Sequence, residues 1–133
     1  MRRTHGSECL WYSGIDLFEL SPADETSKLS LKAAHCMLKP TGARVRLVPG
    51  DPFTALAAAA NTIGASDVIV IAAGHDAESL RRAWFYIPRM LHPATQVFVE
   101  RSDGGTIPPV FQVISHDEIR RRALASMPHR TAA

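Results

Sequence analysis

A chain of 133 residues is expected to form one domain and is long enough to bury a core without disulfide or metal staples. Hydrophobic residues at 46 % and charged residues at 21 % exclude wholesale disorder, and a net charge of +2 is too small to point to nucleic acid. The two cysteines, Cys9 and Cys36, have neither metal-site spacing nor a disulfide framework, and they fit a reducing, cytoplasmic compartment. No apolar run reaches the roughly 18 residues of a spanning helix, so no direct membrane insertion is expected. Arg2 and Arg3 precede no apolar stretch, so a secretory leader is not expected either.

Taken in chain order, Leu10 to Leu20 reads as a strand, with Trp11, Tyr12, Ile15, Leu17 and Phe18 as its β-formers. Ser21-Pro22 is a helix start, with Ser21 as cap and Pro22 at the first helical position. Leu29, Ala33, Cys36 and Met37 follow at helical spacing, and Pro40 to Gly42 ends the helix. Ala43 to Val48 alternates apolar residues with Arg44 and Arg46, the pattern of a half-solvated edge strand. Asp51 and Pro52 start a second helix with Phe53, Leu56, Ala57, Ala60 and Ile63 on one side, closed by Gly64. Asp67 to Ala73 is a continuous run dominated by β-branched residues, which predicts a strand buried on both faces at the centre of a parallel sheet.

Gly74-His75-Asp76 turns into a third helix with Leu80, Ala83, Trp84, Ile87 and Leu91 inward and a kink imposed by Pro88 near Trp84. Thr95 to Glu100 is a fourth strand, Asp103-Gly104-Gly105 a turn, and Val110 to Ile114 a fifth strand without an assigned place. Ser115 and Glu118 have the spacing of a capping box for a last helix, whose Arg120-Arg121-Arg122 run reads as a solvated face. Strands alternating with helices predict an α/β fold: a three-layer, doubly wound, mostly parallel sheet of four or five strands. The expected order is second, first, third, fourth. Residues 1–133 are expected to be a single domain, with 1–8 and 128–133 as flexible tails.

Val48-Pro49-Gly50-Asp51-Pro52, a helix ending Ile63-Gly64-Ala65, and the strand Asp67-Val68-Ile69-Val70-Ile71 resemble the second half of a universal stress protein domain. His92 to Val99 resembles the approach to that family's last strand and the strand itself, so the likeness spans roughly residues 43 to 101. It implies a Rossmann-like fold and pairing into homodimers through an edge strand. Residues 10 to 38 align with the family's second strand and helix, so the N-terminal part is shortened or rearranged. ATP-binding members follow the fourth strand with Gly-x-x-Gly and, nine residues on, Gly and Ser or Thr. Here Ala72 and His75 replace the first two glycines and Phe85-Tyr86 falls near the last pair. The backbone cradle for phosphate is therefore missing, and neither ATP nor any other cofactor is expected.

In an open α/β sheet, ligands bind beyond the carboxyl ends of strands where strand order reverses. In the expected order that crevice collects Ser21, Gly74, His75, Asp76 and Ser79. The positive end of the third helix and the free amides there could hold an anion. The plainer reading makes Asp76 a helix cap and His75 an exposed loop residue. His75 beside Asp76 has the composition of a general base, but no nucleophile other than Ser79 and no oxyanion donors accompany it, and no catalytic residue is assigned. His35 and Cys36 are adjacent on a helix and point apart, so no metal site is expected. Trp84, Phe85 and Tyr86 widen the apolar band of the third helix, either as core or as a partner surface.

The reading that follows is a non-catalytic, stress-response-type domain acting through homo-oligomerisation or as a regulatory protein partner. The alternative is a small enzyme or a nucleotide- or anion-binding protein using the Gly74-His75-Asp76 crevice.

Overall fold

The computed structural model describes residues 9–20, 29–101 and 108–127. The expected tails at 1–8 and 128–133, the helix start at Ser21-Pro22 and the turn at 103–105 lie outside them. The chain divides into two compact units, residues 1–50 and 51–133.

In the first unit, β1 (Trp11–Asp16) and β2 (Arg44–Pro49) pair in parallel, with Trp11 opposite Arg44 and Asp16 opposite Pro49. The crossover between them contains α1 (Leu31–Leu38), which packs against β2. Ser30 caps α1, its Oγ accepting the Ala33 amide at 3.0 Å. The first strand stops sooner than the expected Leu20. The Asp16 carboxylate accepts the Leu17 amide at 2.7 Å and offers the backbone an alternative to the ladder. Phe18 then takes φ +50°, and Phe18–Leu20 forms a 3₁₀ turn. Gly14 lies where a Cβ would come 3.0 Å from the Leu47 and Tyr12 side chains, so a larger residue would force those side chains to shift.

In the second unit, β3 (Val68–Ile71) pairs in parallel with β4 (Gln96–Arg101), and β5 (Val110–Ile114) adds antiparallel to β4. α2 (Pro52–Ile63) packs on α3 (Ala77–Ala83) and on a 3₁₀ turn at Ile87–Met90, while α4 (His116–Ala125) closes against α3 and that turn. The core is Leu56, Ala60, Ala83, Trp84, Ile87 and Ile119 from the helical side against Ile71, Val97 and Ile114 of the sheet. The strands therefore have one covered face, which is what alternating Cβ directions give when helices sit on one side only.

The expected single doubly wound sheet is not formed. Among the described residues the strands make two small sheets, one of two strands and one of three, and α4 is the last element. The neighbour pairs first–second and third–fourth of the expected order occur as parallel pairs, but the first–third pair that would join them does not. As a result β3 is an edge strand rather than a central one, and Val68 and Val70 on its outer face are exposed. A run of β-branched residues reports high β-propensity and apolarity; it cannot report whether a neighbour arrives on the second face.

The third helix also departs from expectation. Instead of kinking at Pro88 it ends at Ala83, and the chain continues through i→i−3 bonds, from the Ile87 amide to the Trp84 carbonyl at 3.3 Å and from Arg89 to Tyr86 at 3.1 Å. Pro88 has no amide to give the Trp84 carbonyl and its ring would crowd it, so the tighter turn relieves both faults.

Candidate functional site

Three groupings in the second unit bear on function. The first is the loop after β3. Gly74 holds φ +92°, a conformation that favours glycine, and a Cβ there would meet open space, so the turn alone explains the residue. Asp76 caps α3, its Oδ2 accepting the Ser79 amide at 2.9 Å. Ser79 is buried, and its hydroxyl donates to Asp51 Oδ2 while accepting the Phe53 amide at 3.0 Å. Asp51 in turn caps α2 by accepting the Thr54 amide at 3.2 Å. The Ser79 and Thr54 bonds hold the Asp51 carboxyl at about 2, below the usual 3.8, because they favour its charged form. Glu100 Oε2 from β4 accepts the Ala73 amide at 2.6 Å.

These contacts join Asp76 and Ser79 of the expected crevice, and they add Asp51, Phe53 and Glu100. They do not bring in His75, which is half-buried and forms no hydrogen bond to Asp76 or Ser79 among the described residues. Ser21 lies outside the described residues. Chemically the loop is a pair of helix starts bonded to each other. Three of the protein's own carboxylates accept its amides, and their charge opposes a further anion. The Ser79 hydroxyl donates to Asp51, and a carboxyl held at about 2 is too weak a base to activate it as a nucleophile.

The second grouping sits at the opposite, N-terminal ends of the strands. His92 Nδ1 accepts the Ala94 amide at 3.1 Å, which puts the ring proton on Nε2, and Nε2 donates to Asp67 Oδ1 at 2.7 Å. Buried Thr95 accepts the His92 amide at 2.8 Å and donates to the Ser66 carbonyl at 2.6 Å, while His116 Nε2 donates to the Thr95 carbonyl at 2.7 Å. The network ties the starts of β3, β4 and α4 together. Its hydroxyls, on Thr95 and Ser66, are both spent on backbone bonds. Sequence reasoning passed over Asp67 and His92 as a pair. Nothing in the sequence links them; the parallel register of β3 and β4, which sets Val68 opposite Gln96, brings them together.

The third grouping is aromatic and basic. Trp84 is core, with the Arg122 guanidinium 4.7 Å from its ring centre, so one member of the Arg120–Arg122 run covers the core while Arg120 and Arg121 pair with Asp117 and Glu118. Phe85 and Tyr86 are half-buried and meet edge to face at 5.1 Å. Tyr86 also lies 5.9 Å from Phe53, over which the Arg82 guanidinium stacks at 3.8 Å. Of the expected interface trio, Trp84 is therefore buried, and Phe85 and Tyr86 are half-buried.

Among the described residues no cluster of three or more His, Cys, Asp or Glu could hold a metal ion, and no helix is long and apolar enough to cross a membrane. No protein-family model, no curated protein and no solved structure matches the chain, so the resemblance to universal stress proteins has no support from these comparisons.

Proposed function

We propose that this protein acts by association rather than by chemistry, assembling with a second copy of itself through the outer face of the β3–β4–β5 sheet. The observation that carries this reading is the apolar character of that face. Val70, Phe98 and Val113 form one cross-strand row, with Val68 and Phe111 on the rows beside it. Val68 is 57 %, Val70 59 %, Val113 62 % and Phe111 43 % exposed. Contiguous apolar patches of this kind mark interaction surfaces, and two such sheets can stack face to face about 10 Å apart with their side chains interdigitated. A twofold axis lets the same patch serve both copies. The free thiols of Cys9 and Cys36 are in keeping with a cytoplasmic setting. The carboxylate-filled loop around Asp76 and the bonded-off hydroxyls of Ser79 and Thr95 favour this reading over an enzyme.

Light scattering after size exclusion tests it. The wild type is expected to run as a dimer at about 100 µM, with dissociation on dilution. Val113→Glu, at an exposed position that leaves the core intact, is expected to run as a folded monomer. A monomeric wild type at that concentration, or a V113E variant that stays dimeric, refutes the proposal.

A further inference from the structure

We propose that the cleft between α3, the turn following it and the end of α4 is a binding site for a flat aromatic oxyanion, a ring system bearing a carboxylate, sulfonate or phosphate. The cleft has a volume of about 360 Å³ and is lined by Phe53, Phe85, Tyr86, Arg81, Arg82 and Met127, with no carboxylate on its wall. That volume is within the range of small-ligand sites, which run from about 300 to 1,000 Å³. Its body is aromatic. Phe53, Tyr86 and Phe85 form a continuous series of ring contacts, at 5.9 Å and 5.1 Å, against which a planar ligand can stack.

Its charge is positive and only half compensated. Arg81 is neutralised by Glu78 through two bonds, from Nε at 2.9 Å and from the terminal nitrogen at 2.7 Å. The Arg82 guanidinium forms no ion pair or hydrogen bond among the described residues, and the carboxylate that feels it, Glu78, already belongs to Arg81. Stacking on Phe53 uses the flat face of the Arg82 guanidinium and holds it in place. Its in-plane N–H donors remain available in the fork that suits two oxygens of one acid group. An aromatic body for the rings and an oxyanion for Arg82 is the chemistry that satisfies both halves of the cleft.

The test uses anilinonaphthalene sulfonate as probe, titrated by fluorescence, with its uncharged relative phenylnaphthylamine as comparison. This site is independent of the sheet face, so the wild type and V113E are expected to bind the sulfonate equally. Arg82→Gln is expected to weaken the sulfonate about tenfold, the loss of a charge-assisted bidentate contact. Phenylnaphthylamine is expected to bind more weakly than the sulfonate and to be indifferent to R82Q. Circular dichroism checks that R82Q is folded; should it differ from wild type, Arg82→Lys decides instead, and an undiminished sulfonate affinity in that variant counts against the proposal. Equal sulfonate binding by R82Q and wild type overturns it, as does loss of binding in V113E, which would assign the probe to the bare sheet face.

Discussion

Replacing Ser79 by alanine removes the hydroxyl that joins the starts of α2 and α3. Two groups lose a partner: the Phe53 amide, which donates to Ser79 Oγ at 3.0 Å, and the Asp51 carboxylate, which accepts the Ser79 hydroxyl. A part-buried amide left unpaired costs about 1 kcal/mol or somewhat more. Asp51 titrates at about 2 rather than 3.8, chiefly because of the Ser79 bond and secondarily because of Thr54. Such a shift corresponds to about 2 kcal/mol of stability, and solvent contact at Asp51 screens this to about 1 kcal/mol. The Thr54 bonds to Asp51 survive the substitution, so the expected loss at pH 7 is about 1.5 kcal/mol, measured as the difference in urea unfolding free energy between wild type and Ser79→Ala.

The pH dependence gives the sharper test. The folded-state pKa of Asp51 lies below the unfolded one. Its contribution is thus complete above the ordinary carboxylate range and is lost as pH falls through about 2. About half of the Asp51 part should be gone by pH 3, so the gap between wild type and S79A narrows on acidification while the Phe53 part persists. An Asp51 resonance that titrates identically in both proteins, or a stability gap below about 0.3 kcal/mol at pH 7, would refute the reasoning.

Two further outcomes follow from the rest of the second unit. Thr95→Val keeps the shape but strands the His92 amide and the Ser66 carbonyl, and it should cost about 1 to 3 kcal/mol in the same urea assay, with no change in the circular dichroism of the folded state. Ile119, fully buried on α4, should cost about 2 to 5 kcal/mol when cut to alanine, whereas the same truncation at exposed Leu124 should stay within about 0.5 kcal/mol.

Local chemistry made the helix starts legible before any tertiary structure. Asp51-Pro52 opens α2 and Gly64 closes it, Asp76 caps α3, and Ser115 accepts the Glu118 amide at 3.2 Å at the head of α4. Each of these depends on residues within four positions of one another, so sequence spacing suffices. The same holds for the break at Pro88, although the sequence pointed to a kink and the chain adopts a 3₁₀ turn. The strands were legible as apolar and β-branched runs, and the parallel pairs β1–β2 and β3–β4 agree with crossover connections.

Tertiary structure decided everything that depends on which surfaces meet. The run from Val68 to Ile71 looks equally apolar whether its second face is covered or bare, and in the structure Val68 and Val70 on that face are exposed. The partners Asp51–Ser79, Asp67–His92 and Phe53–Arg82 are distant in sequence, and no periodicity links them. Such contacts arise when packed helices and register-locked strands bring their ends together. That is why Ser79 could be singled out from sequence as a polar residue near a helix start, while its role as the bond between two helix starts could not.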